Sequence, residues 1–485
     1  MNTSMIRYIL GNVFKLQALF LLLPSATALI YKEDTFVPYI VAAFSCFIVG
    51  SMMAWRKPKD TVFYLKEGCV ATALSWIVLS ASGAFPLVLT GEIPRFIDAL
   101  FEMVSGFTTT GSSILSDVEA LSHSSLMWRS FSHWVGGMGV LVFLLAVIPM
   151  SGGSNINLMK AESPGPSVGK LVPKIRSTAR ILYMIYIGLG ILMFLFLLAG
   201  KMPLFDALTT TFGTAGTGGF GIKNDSIASY SPYIQWVITV FMLLFGVNFN
   251  AYYLILFNNV KKAFKIEEVR WYFVIIFLSA GVIFTDLMQF YPSLGDAVRD
   301  SFFQVASIIT TTGFATADFN LWSATSKSVL VLIMFIGACA GSTGGGLKVS
   351  RLIILVKTIF KELTSYTHPK SIVKIKMDDK PIEREVVRSA NVYFITYMII
   401  FVVSVFCLTF ENIDLISIFT AVAATFNNIG PGLEMVGPTA NFGHFSDFSK
   451  VVMIFDMLAG RLELFPLLML FHPEVWKDTI KRKWK

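Results

Sequence analysis

Asp300 to Ala315 reads DSFFQVASIITTTGFA, an apolar helix-like run that stops in a threonine and glycine cluster. Spanning about 30 Å of hydrocarbon as a helix takes about 20 apolar residues, so this run is too short to cross a bilayer. Irregular backbone at membrane depth is tolerated only where it is buried in protein or lines a watery cavity. A half-length helix ending in Thr311-Thr312-Gly313-Phe314 therefore predicts a re-entrant segment whose carbonyls replace the water around a cation, as in an ion filter.

The pattern recurs. Asp98 lies 13 residues before Gly111 (DALFEMVSGFTTTG), Asp206 lies 13 before Gly219 (DALTTTFGTAGTGG), and Asp300 lies 13 before Gly313. A diverged fourth copy, SIFTAVAATFNNIG, runs from Ser417 to Gly430. Aligned on the central glycine, the predicted ion-binding residues are Thr109-Thr110-Gly111, Thr217-Gly218-Gly219, Thr311-Thr312-Gly313 and Asn428-Ile429-Gly430. The central glycines are 108, 94 and 117 residues apart, room for two crossings and the re-entrant piece in each interval. Four such copies predict one pore on one axis.

The rest of the composition agrees. With 55% hydrophobic and 14% charged residues and a mean hydropathy of +0.68, the 485-residue chain reads as a polytopic, all-α membrane protein. The first apolar stretch, Leu16 to Ile30, is interrupted by Pro24 and lacks a small-residue cleavage site, so it reads as a retained helix rather than a signal peptide. Cys46, Cys69, Cys339 and Cys407 are scattered through apolar segments without metal-ligand spacing. The net charge of +8 is concentrated in short loops, a membrane-topology signal rather than a nucleic-acid one.

Two helices, about 9–31 and 37–55, precede the fourfold repeat within 1–60. Pore unit 1 spans 61–178, unit 2 179–268, unit 3 269–386 and unit 4 387–485. Each is expected to contain an outward helix, a half helix with its filter strand, and an inward helix: 67–90, 96–113 and 129–150; 180–199, 204–221 and 232–260; 271–291, 298–315 and 328–360; 389–410, 415–432 and 448–471. On that topology the inner segments carry 28 Lys or Arg and the outer ones eight, Arg129 and Lys450 among the latter. The imbalance predicts ten crossings with both termini inside.

Glycine opens backbone conformations closed to other residues, so successive carbonyls can face one axis, and threonine can add a hydroxyl oxygen. The half helices should aim their partially negative C-terminal ends at the pore centre, favouring a cation. A second candidate site is Gly337-Ala338-Cys339-Ala340-Gly341-Ser342-Thr343-Gly344-Gly345-Gly346-Leu347-Lys348. Three consecutive glycines each disfavour helix by about 1 kcal/mol relative to alanine, so this inward helix should break near mid-membrane. The loop could gate conduction; a small-residue packing interface is the alternative. Arg461, inside the last apolar segment, reads as a cation beneath the filter, with an ion pair to Asp456 or Glu463, or snorkelling, as the alternative. Glu102 on the first half helix and Glu434 after the fourth filter could attract cations, with a solvated outer carboxylate as the equal alternative for Glu434. His123, His133, His368, His444 and His472 form no i, i+4 pair, and no nucleophile elbow, zinc motif or phosphate loop occurs, so enzymatic chemistry is not expected.

Filters reading TTTGSS, TGGFG, TTTGFA and NNIGPG, followed by AGSTGGGLKVSR (Ala340 to Arg351) and GRLELF (Gly460 to Phe465), resemble the TrkH-type subunits of bacterial potassium uptake systems in the Trk/Ktr/HKT superfamily. The resemblance covers nearly the whole chain. It implies an inner-membrane potassium pathway with K+ as the transported ion, a homodimer with one pore per protomer, and a TrkA-like cytoplasmic nucleotide-binding ring as partner. It makes Gly341, Ser342, Thr343, Gly344, Gly345, Gly346 and Lys348 an intramembrane gating loop and Arg461 its contact. In the plant branch serine at the first filter glycine accompanies sodium preference; Gly111 implies potassium. The glycine-rich second filter and Asn428 in the fourth depart from the pattern, which leaves a weakly selective cation channel open. A Na+- or H+-coupled secondary transporter is the other alternative, although carriers more often arrange two inverted halves around a midplane site.

Overall fold

The protein is described by a computed structural model covering residues 1–58, 64–139, 175–256, 259–371 and 373–477. The chain is helical apart from one two-stranded hairpin, Lys376–Met377 with Lys380–Pro381, on the stretch joining units 3 and 4. Six helices among the described residues are long and apolar enough to cross a membrane. They are Thr3–Tyr31, Phe36–Ala54 and the first helix of each unit: Leu65–Leu89, Ile175–Ala199, Glu267–Leu287 and Arg384–Leu408. Their exposed faces carry large apolar side chains such as Phe277, Leu278, Ile399 and Phe406, as lipid contact requires.

The N-terminal pair begins earlier than the sequence suggests, at Thr3, where the Asn2 side chain accepts from the Met5 N–H. Its two helices cross at Gly11 and Gly50, with no room for a side chain on either. Glycine contacts of this kind let membrane helices approach closely.

Each unit then repeats one plan. A half helix follows the long helix: Phe96–Phe107, Leu204–Gly216, Leu294–Ile309 and Leu415–Phe426. At 12 to 16 residues none can span a bilayer. An extended segment leads back outward, and a serine starts the return helix. Ser122, Ser231, Ser323 and Ser446 are all N-caps, accepting from the N–H of Ser125, Ile234, Ser326 and Ser449. A cap of this type contributes about 1 kcal/mol.

The return helices depart from expectation. They were anticipated as continuous crossings, and only in unit 3 was a break expected. They are His123–Met138, Pro232–Gly246, Ala324–Met334 and Asp447–Arg461, and none is long enough to cross alone. In unit 2 the chain turns by 92° into Phe249–Leu256. In unit 4 it turns at Glu463 and Leu464, both at positive φ, into Phe465–Leu468. The physical reason is close packing against the half helices: a Cβ at Gly136 would overlap the Phe107 carbonyl, and one at Gly460 the Phe426 carbonyl. In unit 3 the break is present, with Val349–Thr367 resuming the helix after it. The rest of the first return helix, 140–150, lies outside the described residues, as do most of the Lys170 to Arg180 cluster and all of the Lys477 to Lys485 cluster except Lys477.

Candidate functional site

All four half helices end alike. The N–H groups of Thr110, Gly218, Thr312 and Ile429 each donate to the carbonyl five residues earlier, at 2.8–2.9 Å. One residue before, Thr109, Thr217, Thr311 and Asn428 stand at φ 54–58° and donate to the carbonyl three residues earlier. This is the Schellman termination, whose left-handed position is usually glycine. Threonine or asparagine there costs about 1–2 kcal/mol. The segments repeat that cost four times, which marks the conformation as required.

The central glycines follow at positive φ: Gly111 at 84°, Gly219 at 75°, Gly313 at 85° and Gly430 at 103°. The sign of φ thus runs positive, negative, positive through Thr109-Thr110-Gly111 and through its three counterparts. Their neighbours form a closed cycle. A Cβ at Gly111 would meet the Gly218 carbonyl oxygen, one at Gly219 that of Thr312, one at Gly313 that of Ile429, and one at Gly430 that of Thr110, at 3.0 Å. The twelve residues selected from the sequence are therefore brought together, apart from Gly111, Gly219 and Gly313 all buried, with backbone oxygens on neighbouring segments. Thr108 and Thr110 share a hydroxyl hydrogen bond of 2.8 Å, and Thr310 and Thr312 one of 2.7 Å. Asn428 uses its amide to join segments, donating 2.9 Å bonds to Thr110 Oγ1 and to the Met457 carbonyl. Among the described residues no group of three or more His, Cys, Asp or Glu converges. A cation at this site would be held by carbonyl and hydroxyl oxygens.

The glycine loop of unit 3 lies against the inner ends of these segments. Gly345 donates its N–H to Thr311 Oγ1 at 2.6 Å, and a Cβ at Gly344 would be 2.9 Å from the Thr310 carbonyl oxygen. On its other side Gly345 packs on Asn427 and Asn428. The ends of the loop are tied down: Gly341 O accepts from the Phe249 N–H at 3.1 Å, the Ser342 hydroxyl donates to the Cys339 carbonyl at 2.6 Å, and Lys348 Nζ donates to the Gly344 carbonyl. Arg461 crosses beneath. It donates to the Thr343 carbonyl at 2.8 Å and to the carbonyls of Gly136 and Gly137 in unit 1. Of its two anticipated partners, Glu463 pairs with Arg351 and Asp456 accepts from Ser404 at 2.7 Å.

Glu102 differs from the reading as a cation attractor, while Glu434 matches its alternative of a solvated outer carboxylate. Glu102 is fully buried and ion-paired with Arg129, 2.8 Å away. Arg129 and Lys450, counted as outer-loop charges, are both buried, and Lys450 Nζ is 2.7 Å from Asp98. Glu434 is surface-exposed, with Lys327 at 3.8 Å. His133, dismissed from the sequence, is buried behind segment 2, where its Nε2 accepts from the Phe220 N–H at 3.3 Å. The signal for Arg129 was its place within a regular helical stretch following the Ser122 cap, which a charge count along loops overlooks.

A family model described as TrkH, cation transport protein, matches residues 38–482. The chain is 36% identical to the Trk system potassium uptake protein TrkH of Vibrio parahaemolyticus over 98% of this chain and 99% of that one. It is 35% identical to TrkH of Salmonella typhimurium over 94% and 96%, and 34% identical to TrkG of Escherichia coli over 99% and 100%. The crystal structure of the potassium transporter TrkH from Vibrio parahaemolyticus superposes with a TM-score of 0.88 at 33% identity, covering 98% of this chain and 100% of that one. These relatives are transporter subunits, not enzymes, and the chain belongs to the TrkH family of cation transport proteins.

Proposed function

We propose that this chain is a gated potassium uptake pathway in a bacterial inner membrane, with ions passing the four glycine-centred segments in single file. The carrying observation is the repeated sign pattern of φ at four segments closed into one cycle, each lying against a backbone oxygen of its neighbour, which supports a ring of carbonyls around one axis. Rings of carbonyls in place of a hydration shell are the established chemistry for a dehydrated cation. Four half-helix C-termini converge there, each contributing about half a negative charge. Potassium is chosen because the Vibrio, Salmonella and Escherichia relatives are named for its uptake. Glycine at all four central positions agrees with that choice.

The loop from Gly341 to Lys348 is the proposed barrier, held shut by Arg461 and by Thr311. Control from the cytoplasm, by a TrkA-like ring on a homodimer with both termini inside, is supported by a chain of contacts. In the hairpin, Asp378 accepts from the Glu267 N–H at 2.7 Å. The adjacent Glu268 accepts from the N–H of Ala340 at 2.6 Å and of Ser350 at 3.1 Å, bracketing the loop. A force on the hairpin therefore has a short path to the barrier.

The test is potassium and sodium flux through the purified chain in liposomes, for wild type, Gly111→Ser and Gly313→Ser. Potassium-preferring flux that falls or loses preference in both variants is the expected result. Equal, unaltered flux in all three would make the segments architectural and move the search to a carrier site elsewhere.

A further inference from the structure

One quadrant behind the segments is built unlike the other three. Four residues beyond Asp98, Asp206, Asp300 and Ser417 along the half helices stand Glu102, Thr210, Gln304 and Ala421, all buried. Seven residues beyond each capping serine, on the return helices, stand Arg129, Ile238, Leu330 and Met453. Three of those positions are buried and apolar; Arg129 is buried and charged. Among the described residues, only unit 1 therefore places an ion pair at these two aligned positions of its half helix and return helix. Gln304, the unit 3 counterpart of Glu102, has an amide without a hydrogen-bond partner among the described residues.

The pair reaches the two strands beside it. Glu102 accepts from the Ser113 hydroxyl at 2.9 Å and from the Ile114 N–H at 3.0 Å, both just past Gly111. Arg129 donates to Glu102 at 2.8 Å and to the Gly221 carbonyl at 3.3 Å, and its guanidinium lies 4.1 Å from the centre of the Phe220 ring. Phe220 and Gly221 immediately follow Gly219. One buried, planar, charged fork thus fixes the outward halves of segments 1 and 2 to each other. Charge-assisted bonds of this kind are shorter and about twice as strong as neutral ones. In units 3 and 4 the same stretches are held without an arginine or an ion pair of this kind: Ser307 Oγ donates to the Phe314 carbonyl at 2.6 Å, the Ala315 N–H to Ser226 Oγ at 3.2 Å and Thr316 Oγ1 to Asp300 at 3.1 Å in unit 3, and the Gly432 N–H to the Val436 carbonyl at 2.6 Å and the Leu433 N–H to Thr420 Oγ1 at 3.0 Å in unit 4.

We propose that the Glu102–Arg129 pair is a specificity-determining positioning element: it keeps segments 1 and 2 from closing in on an ion smaller than potassium. This rests on the reading of the four segments as the ion filter. Neither side chain touches the ion. Both act through Ser113, Ile114, Phe220 and Gly221, whose oxygens and amides set the width of the outer filter on that side. Of the two strands the pair reaches, Thr217 to Gly221 holds three glycines, Gly218, Gly219 and Gly221, and is where outside support is most needed, because glycine resists deformation least.

The experiment measures potassium and sodium uptake separately in liposomes holding the full chain, as wild type, Arg129→Gln, the double variant Glu102→Gln with Arg129→Gln, and Ser113→Ala. Thermal melting in detergent is recorded for each. The double variant leaves no buried charge unpaired, so it separates ion preference from folding. Its preference for potassium over sodium is expected to fall about tenfold, the size of one lost charged hydrogen bond. Ser113→Ala keeps both charges and removes one tether; a fall of about threefold is expected. A folded double variant with the wild-type ratio overturns the proposal. If that variant does not fold, an unchanged ratio in Ser113→Ala overturns it instead. Absence of potassium preference in the wild type would refute the filter reading itself, a different result from a selective wild type whose variants are equally selective.

Discussion

The glycine-centred segments and the glycine loop beneath them use the same residue in opposite ways. In the segments, glycine recurs at one phase in four units, with φ between 75° and 103°, and each copy lies against a backbone carbonyl of a neighbouring segment. In the loop, Gly341 and Gly346 at φ 68° and 72° belong to one unit only, and the loop is held by side chains from units 3 and 4, Thr311, Lys348 and Arg461, the last also bound to carbonyls of unit 1. A ring that every unit builds equally cannot shift in one place without distorting the rest. A loop contributed by one unit, fastened by Thr311, Lys348 and Arg461, can be released while the ring stays whole. On the proposed function, symmetry goes with selection and its local absence with control.

The largest expected effect sharpens the first half of that contrast. Gly219→Ala places a methyl on the Thr312 carbonyl oxygen and adds a left-handed strain of about 1–2 kcal/mol, so potassium flux in liposomes should fall by more than about tenfold. Gly430→Ala should be the mildest of the four central substitutions, since its neighbouring oxygen is 3.0 Å from the added carbon rather than overlapping it. Equal loss at both positions would break the link between close approach and function.

A smaller effect tests the second half. Deleting Gly344 to Gly346, or changing Arg461 to Gln, should raise resting potassium flux by about three- to tenfold, the equivalent of one or two hydrogen bonds. Potassium preference should persist, because the ring is untouched. Unchanged flux in folded protein would remove the barrier.

The smallest lies away from both, at the turn between the N-terminal helices. Burial pushes the Glu33 carboxyl up, but hydrogen bonds from Ser124 and His123 outweigh it and hold the pKa below its ordinary 4.5. A depressed carboxylate stabilises above the unfolded pKa, and that contribution fades as pH falls through the folded value. Glu33→Gln should thus lower the melting temperature by about 1 °C at pH 7, and the difference should close as the pH falls through the folded value of Glu33, which lies below the ordinary 4.5. Any change in ion preference in this variant would show that the N-terminal pair bears on the ring.

Much of this was legible because helix length and glycine phase are local properties. Half helices of 12 to 16 residues and the Thr/Gly ends were visible in the chain, as were the break after Met334 and the six long spans. The breaks at Val247 and Leu462 were not, because the surrounding stretches are mostly apolar and Gly246 and Gly460 are only modestly unfavourable, although Asn248 and Pro466 were local signals for them. What surrounds those helix ends is distant in sequence: the Gly246 carbonyl accepts from the Cys339 N–H of unit 3 at 3.1 Å, and a Cβ at Gly460 would overlap the Phe426 carbonyl. Arg129 was misplaced for the same reason, since nothing nearby in sequence reveals a carboxylate 27 residues earlier.

The sequence by itself determined the membrane class, the fourfold repeat, the family and the residues that meet at the centre, because hydropathy, spacing and backbone freedom are written residue by residue. Only the tertiary structure decided that those segments close in cyclic order, that Arg461 binds carbonyls of two other units, and that one buried ion pair braces one side. Each of these depends on which distant groups share a low-dielectric interior, where an unpaired charge or carbonyl is costly and its partner is set by packing.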